Sequence, residues 1–394
     1  MLARRSVAFA LFASTTLGCS GTSGTSSDGS ASVDLAAGDL AAGETSGDLS
    51  APAGHASTDM ALPSYAVGVT TRTFVDESRP TPANGTAAEL PNRTLVTEIW
   101  YPTPGAVNAT AATRDAPLAP GGPYPLVLFV HGSSSSRTVY TYLTIGLASA
   151  GYLVAAADFP LTALDTPGGE SDLHVTDEVG DLSFLCDSLK AVSGDTTDAL
   201  HSAVDGLGYA VVGHSTGGAV GELAAFAPTD SAITHDPRVK AVVPLSGDAC
   251  MFDAAFFKTR ATPIFVIGGS DDLFVPVADN GQWVFDNTSA PHLMATLIGG
   301  SHIYYTDFPL PDGLAGPVPT GPTSPLATTL SAYGDASECL PVPAAGTDAQ
   351  MAFATEHAYV VQLVTAYLDA QLRGATDNLA ALVAAKDPLV VFQQ

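Results

Sequence analysis

From about residue 63 onward, short apolar runs alternate with longer segments of helical periodicity. Runs rich in Val, Ile, Leu and Phe predict eight strands, at residues 65–73, 94–100, 126–130, 153–157, 209–212, 240–244, 264–267 and 293–297. Apolar residues at helical spacing predict helices at 138–150, 175–192, 217–226, 277–286 and 349–372. This alternation is typical of a mainly parallel, eight-stranded sheet with helices on both faces.

The first 62 residues lack that pattern. Two arginines, the apolar run 7–13 and a Leu-Gly-Cys ending predict a secretory signal over residues 1–19. The ending resembles a bacterial lipoprotein cleavage box, in which Cys19 would carry lipid and anchor the protein to a membrane; free secretion is the alternative. Residues 20–62, mostly Gly, Ser, Ala, Thr and Asp, predict a flexible tether, so the folded domain is expected to span residues 63–394.

The charge of the chain restricts its partners. It contains 40 Asp and Glu against 14 Lys and Arg, which gives a formal net charge of -26. Such a protein repels polyanions, so nucleic acid is an improbable ligand, and the same charge keeps an exported protein soluble. Hydrophobic residues make up 46% of the chain, enough for a large core. We expect a monomer.

Three cysteines remain besides Cys19. Cys186 lies in a helix-like apolar stripe, where a buried thiol without a disulfide partner is expected. Cys250 and Cys339 lie in irregular stretches and are the expected pair if an oxidising compartment forms one bridge. The sequence has no CxxC, HExxH or clustered His/Cys spacing, so neither a metal nor another cofactor is expected.

One short motif carries candidate chemistry. The strand at 209–212 runs into Gly-His-Ser-Thr-Gly-Gly at 213–218, and a helix-forming segment follows directly. A sharp turn between strand and helix can expose a serine hydroxyl only where the neighbouring residues are small. This placement favours Ser215 as a nucleophile.

A serine hydroxyl needs a base to take its proton and an acid to orient that base. Two later strands end in suitable residues: the strand at 264–267 precedes Asp271 and Asp272, and the strand at 293–297 precedes Gly-Gly-Ser and His302. We expect His302 as the base and Asp272 as the acid. Asp271, and Asp248 after the preceding strand, stay as alternatives.

The remaining histidines have simpler roles. His131 at a strand end and His214 in the turn are candidates for shaping the site, while His357 lies in the last predicted helix. An oxyanion intermediate requires two backbone N–H donors, which we expect from Thr216 and from Ser133 in the turn after the strand at 126–130.

These residues resemble the platelet-activating-factor acetylhydrolase family and related bacterial dienelactone-hydrolase-like esterases. The likeness lies in segments 98–102, 131–132, 137–140, 147–156, 213–218, 248–252, 300–302 and 307–308. It implies an α/β-hydrolase fold and a calcium-independent Ser–Asp–His esterase acting on short or oxidised acyl groups, including the acetyl group of ether phospholipids. The spacing from Asp272 to Pro276 matches the family pattern better than that from Asp271. Thr216 departs from the phenylalanine often found there, so the acyl pocket is expected to differ.

The sequence therefore predicts an exported serine hydrolase acting on small-molecule or lipid esters. A cutinase-like polyester hydrolase, an amidase or peptidase, and a catalytically silent binding protein on the same fold are the alternatives. Met251 and Phe252 are candidates for the acyl-pocket wall, with a plain core role equally open. The Pro/Gly-rich stretch 305–346 is expected to form a wall over the site.

Overall fold

A computed structural model describes residues 65–229, 233–289, 291–310, 325–335, 339 and 348–394. The expected secretory signal, Cys19 and the tether lie outside the described residues, as does most of the stretch 305–346. Among the helices of the described ranges, none is both long and apolar enough to cross a membrane.

A ten-stranded sheet forms the centre of the molecule. Its strands are β1 (Ala66–Asp76), β2 (Arg93–Thr103), β3 (Ala112–Arg114), β4 (Tyr124–Val130), β5 (Leu153–Asp158), β6 (Val204–His214), β7 (Val239–Leu245), β8 (Ile264–Gly269), β9 (His292–Leu297) and β10 (Val390–Gln393). Their order in space is β10-β9-β8-β7-β6-β4-β5-β2-β1-β3. The six strands from β9 to β5 are mutually parallel, whereas β2 and β10 pair antiparallel with their neighbours β5 and β9.

Helices cover both faces of this sheet. They are α1 (Thr141–Ser149), α2 (Asp177–Gly194), α3 (Thr216–Phe226), α4 (Gly281–Asn287), α5 (Pro325–Leu330), α6 (Phe353–Leu368) and α7 (Asp377–Ala384). Strand β4 shows why helices are needed on both faces of the sheet. Its residues Leu126, Leu128 and Val130 pack into one core with α2, α3 and α4. Val127 and Phe129 point to the opposite core, with α1 and α6. Both faces of the strand are therefore buried, which is why its sequence is apolar throughout.

The chain order places a crevice at the carboxyl ends of the central strands. From β4 the chain moves to β5 on one side and then crosses back to β6 on the other side of β4. Loops leave such a switch point in opposite directions and open a crevice between them. Val130 pairs with Gly213, and Gly213 with Pro244, so the ends of β4, β6 and β7 lie level. Residues that follow these strands thus meet at one edge.

The fold is an α/β-hydrolase fold, and all eight expected strands are present. The sheet has two strands more than expected, the short edge strands β3 and β10. Helix α7 was also not expected. Helix α6 is shorter than the expected helix 349–372, because the chain continues past Leu368 as a π-helical turn at Asp369–Arg373.

Candidate active site

Ser215 occupies a strained turn between β6 and α3. Its backbone angles are φ 55° and ψ -125°, a conformation that costs a non-glycine residue about 1–3 kcal/mol. The flanking glycines make the turn possible: a Cβ on Gly213 would lie 2.1 Å from the Gly217 carbonyl oxygen, and one on Gly217 would lie 2.3 Å from the Val130 carbonyl oxygen. The motif is therefore explained by backbone contacts, and its effect is to expose the serine at the sheet edge.

His302 and Asp272 form a buried pair at the same edge. His302 Nδ1 lies 2.9 Å from Asp272 Oδ2, and both side chains are almost fully buried. The other oxygen, Asp272 Oδ1, accepts hydrogen bonds from the amides of Phe274 (2.8 Å) and Val275 (2.7 Å). Asp272 is thus fixed by the backbone of its own turn, and it fixes the orientation of the imidazole in turn. The amide of the adjacent Asp271 donates instead to the Gly300 carbonyl oxygen at 3.0 Å.

Two further carboxylates anchor the loop that carries His302. Glu356, on α6 and fully buried, accepts a hydrogen bond from the amide of Ser301 at 3.1 Å. Asp307, just after the loop, accepts from the amide and hydroxyl of Thr141 at 2.8 and 2.7 Å, at the start of α1. Both ends of the loop are thereby tied to helices on the same face of the sheet.

The turn after β4 lies against the start of α3. The hydroxyl oxygens of Ser133 and Thr216 are 2.7 Å apart. Thr216 is the first residue of α3, so its amide has no acceptor within the helix and lies at the positive end of the helix dipole. The side chains of the two residues expected to supply the oxyanion donors are thus in contact.

A second carboxyl group, Asp248, lies directly beside the nucleophile. It follows β7, its amide lies 3.3 Å from the Ser215 carbonyl oxygen, and its carboxyl interacts with the Ser215 side chain, His302 and Asp272. Burial raises the pKa of Asp248 to about 7. Glu222 on α3 is fully buried behind it, and burial together with Asp248 raises the pKa of Glu222 well above its usual range. The structure therefore gathers Ser215, His302 and Asp272 around Asp248, while the histidine pairs with Asp272.

His214 packs directly against the candidate base. Its ring centroid is 4.4 Å from that of His302, and its Nδ1 lies 3.1 Å from the hydroxyl of Tyr140. Burial, and then the nearby His302, lowers the pKa of His214 far below its usual range, so it stays neutral. His131 is also buried, which lowers its pKa, and it lies within 3.4 Å of the Phe159 amide. Both shape the site without reaching the position of the base.

The other expected residues fall into structural roles. Cys250 and Cys339 are joined by a disulfide with Cα atoms 5.1 Å apart, and Cys186 is a buried free thiol. Met251 and Phe252 lie in the core, where Phe252 stacks on Phe256 with ring centroids 4.3 Å apart. His357 stacks on Tyr142 and lies 2.9 Å from the Thr306 carbonyl oxygen. Within the described ranges no group of three or more His, Cys, Asp or Glu side chains could hold a metal ion.

Sequence reasoning missed four carboxyl groups at this site: Glu170, Asp172, Glu222 and Glu356. Glu222 and Glu356 could have been noticed, because each interrupts an otherwise apolar helix, and a charge there has to be buried. Glu170 and Asp172 come from a polar loop between β5 and α2, and their pattern gives no such signal.

Comparisons with known proteins find similarity to the acetylhydrolase family. The family model for platelet-activating factor acetylhydrolase, isoform II, matches residues 83–160. The dog (Canis lupus familiaris) platelet-activating factor acetylhydrolase is 25% identical over 243 residues, which cover 52% of this chain and 53% of the dog protein. The chicken (Gallus gallus) protein of the same name is 45% identical over 47 residues, 12% of this chain and 11% of that protein. The chain thus matches about half the length of the dog protein, and it resembles this family.

A solved structure supports the fold over nearly the whole chain. The ferulic acid esterase from Streptomyces cinnamoneus aligns with a TM-score of 0.56 and 23% identity, covering 88% of this chain and 99% of that chain.

Proposed function

We propose that this protein is a serine ester hydrolase in which Ser215 forms a transient acyl-enzyme. The observation that carries the proposal is the pair His302–Asp272, held at 2.9 Å at the sheet edge where Ser215 sits in its strained turn. Nucleophile, base and orienting acid follow three different strands, in the chain order Ser, Asp, His typical of this fold. The resemblance to acetylhydrolases supports the same chemistry.

The acylation step uses three groups. Ser215 Oγ attacks the ester carbonyl carbon while His302 Nε2 takes the hydroxyl proton, because Nδ1 faces Asp272. The negative charge moves to the carbonyl oxygen, where the amides of Ser133 and Thr216 are the proposed donors. The C–O bond to the alcohol then breaks, and His302 gives its proton to the leaving oxygen.

Deacylation repeats the sequence with water. His302 takes a proton from water, the hydroxide attacks the acyl carbon, and the proton returns to Ser215 as the acid leaves. Asp272 keeps the proton of the imidazole on Nδ1 in both halves and stabilises the imidazolium that forms. No metal or cofactor takes part in these proposed steps.

As substrates we propose short-chain acyl esters, such as acetylated ether phospholipids. The sequence likeness to acetylhydrolases supports this choice. Rates on p-nitrophenyl esters of increasing chain length, on an acetylated ether phospholipid and on a polyester film would rank the candidates. A strong preference for the film would favour the cutinase-like alternative, and activity on a matched anilide would favour an amidase.

The test of the proposed chemistry is removal of the nucleophile. Ser215→Ala should lower kcat on p-nitrophenyl acetate by about 10⁶-fold. Ser246→Ala is the matched control, because Ser246 also ends a central strand, is buried and has a positive φ of 44°. Its activity should stay within about threefold of wild type. A Ser215→Ala variant that keeps a tenth of the activity would overturn the assignment.

Export is a separate part of the proposal. The signal over residues 1–19 would direct the chain out of the cytoplasm, with Cys19 as the site of lipidation. Cells grown with labelled palmitate should label the wild-type protein and leave a Cys19→Ala variant unlabelled. Equal labelling of both would contradict the lipid anchor.

A further inference from the structure

Two acidic side chains lie against the serine turn that follows β4. The hydroxyl of Ser133 donates a short hydrogen bond to Asp172 Oδ1, and the hydroxyl of Ser134 donates to Glu170 Oε2 at 2.9 Å. Both carboxyls belong to the loop between β5 and α2. Consecutive serines of the turn are thus each held by a carboxyl from one neighbouring loop.

The Ser133 contact continues towards the nucleophile. Because the Ser133 hydroxyl donates to Asp172, its oxygen is left to accept from the hydroxyl of Thr216, 2.7 Å away. A hydrogen-bonded row therefore runs from Asp172 through Ser133 to the residue after Ser215. Asp172 is itself held from the outer side, since Thr329 Oγ1 on α5 lies 3.3 Å from its carbonyl oxygen.

Glu170 and Asp172 interact directly with each other, and together they favour holding one proton. Burial, and then the charge of Asp172, raises the pKa of Glu170 to about 7, and burial raises the pKa of Asp172 as well. Two adjacent carboxyls cannot both ionise cheaply away from water. Glu170 therefore keeps the proton and donates it to ionised Asp172, which in turn accepts from Ser133.

Several further acids interact with this pair. Among the described residues, Glu170, Glu178 on α2 and Asp248 after β7 interact electrostatically with Asp172, and burial raises the pKa of each. His174, two residues further along the chain, lies with its Nδ1 3.5 Å from Asp177 Oδ2. Helix α5, packed on the outer side, carries no titratable side chain.

We propose that Glu170 and Asp172 are a positioning pair which, while it holds one proton, fixes the Ser133 amide beside that of Thr216 for the oxyanion. This inference rests on the proposed function and adds residues that do not touch the reacting atoms themselves. When the proton leaves, the two carboxylates repel each other, Asp172 moves away from Ser133, and the turn loses its support. Turnover then falls as the pH rises past neutrality.

The first test separates positioning from a general structural role. Two variants, Asp172→Ala and Ser133→Ala, each break the hydrogen-bonded row but leave the backbone amide of residue 133 in place. Each should therefore lower kcat on p-nitrophenyl acetate by about tenfold or more, with KM within twofold of wild type. The double variant should be no slower than the worse single variant, because both changes break one connection. Asp165→Asn, an exposed acid of the same loop, is the control and should behave as wild type.

The second test uses the shared proton. Glu170→Gln keeps a neutral donor to Asp172 that cannot ionise, so its kcat should stay level between pH 7 and pH 9 while that of wild type declines. Asp248→Asn removes a second carboxyl whose pKa is raised to about 7, and the alkaline decline of this variant should persist. Thermal melts at each pH check that every variant stays folded over the measured range.

Three outcomes would overturn the inference: singles whose losses multiply in the double variant, superimposable pH profiles of Glu170→Gln and wild type, or a decline abolished only in Asp248→Asn. A fluorophosphonate probe distinguishes this failure from failure of the proposed function. If wild type is labelled at Ser215 while the variants behave as wild type, only the positioning pair is wrong. If wild type is not labelled, the serine chemistry itself is wrong.

Discussion

Replacing Asp272 by asparagine should disable the protein through the tautomer of one histidine. The amides of Phe274 and Val275 both donate hydrogen bonds to one oxygen of the Asp272 side chain, Oδ1, at 2.8 and 2.7 Å. An asparagine must place its oxygen there, because an NH₂ group would face both donors. Its NH₂ group then faces His302 Nδ1 at the distance of 2.9 Å now spanned by the Asp272 bond.

This arrangement reverses the proton on the imidazole. Nδ1 becomes a hydrogen-bond acceptor, so the proton moves to Nε2, and Nε2 can no longer take the proton of Ser215. The same change of acid to amide in a serine triad costs about 10⁴ in kcat, and that factor corresponds to about 5.4 kcal/mol of transition-state stabilisation. The variant is isosteric, so the fold should be retained.

The assay is kcat/KM on p-nitrophenyl acetate at pH 7.5, with enzyme concentration set by total folded protein. Asp271→Asn is the matched control, because Asp271 is the adjacent residue, whereas the carboxyl hydrogen-bonded to His302 is that of Asp272. Its rate should remain within about threefold of wild type. An Asp272→Asn variant within tenfold of wild type, or a 10⁴-fold loss in Asp271→Asn or Asp248→Asn, would refute the assignment of the acid.

Three predictions concern stability. Gly217→Ala brings a Cβ to 2.3 Å from a carbonyl oxygen and should lower the unfolding free energy by ~2 kcal/mol in urea titrations, whereas Gly194→Ala meets nothing within 4 Å and should be neutral. Cys339→Ser opens a bridge with a sequence separation of 89 residues and should cost up to ~4.5 kcal/mol, while Cys186→Ser should cost less. The pKa of Glu222 is raised in the folded state, so the neutral carboxyl stabilises the fold and this contribution is fully present in acid. The contribution is lost by ~1.4 kcal/mol per pH unit as the pH rises from the usual pKa of a glutamate, near 4.5, towards the folded pKa. Unfolding free energy should therefore decline faster from pH 5 to pH 8 in wild type than in Glu222→Gln; equal slopes would contradict a neutral buried Glu222.

The central strands and the serine turn could be read from the sequence because their causes are local. Strand β4 needs apolar side chains on both faces, and the turn at Ser215 needs glycines where a Cβ would strike backbone. The edge strands β3 and β10 were missed for the converse reason. They have three and four residues, mostly at exposed or half-buried positions, and their pairing depends on a neighbouring strand that no local pattern indicates.

The choice of the acid needed the folded chain. Asp248, Asp271 and Asp272 all follow strands of the parallel sheet, so each was a candidate. The turn after β8 directs the carboxyl of Asp272 towards His302. Two backbone amides that donate to Asp272 Oδ1 fix this orientation. The half-buried acids Glu170 and Asp172 are brought together by the packing of one loop on another, and no periodic pattern in the sequence indicates such a contact.

The proposed mechanism requires one covalent bond, which forms at Ser215 Oγ. A fluorophosphonate probe should add one phosphonyl group to the folded wild-type protein, located by mass spectrometry on the peptide containing Ser215, and no group to Ser215→Ala. His302→Ala should be labelled at least a hundredfold more slowly, because the base is absent. An unlabelled wild-type protein, or a label on another residue together with retained ester hydrolysis in Ser215→Ala, would contradict the central claim.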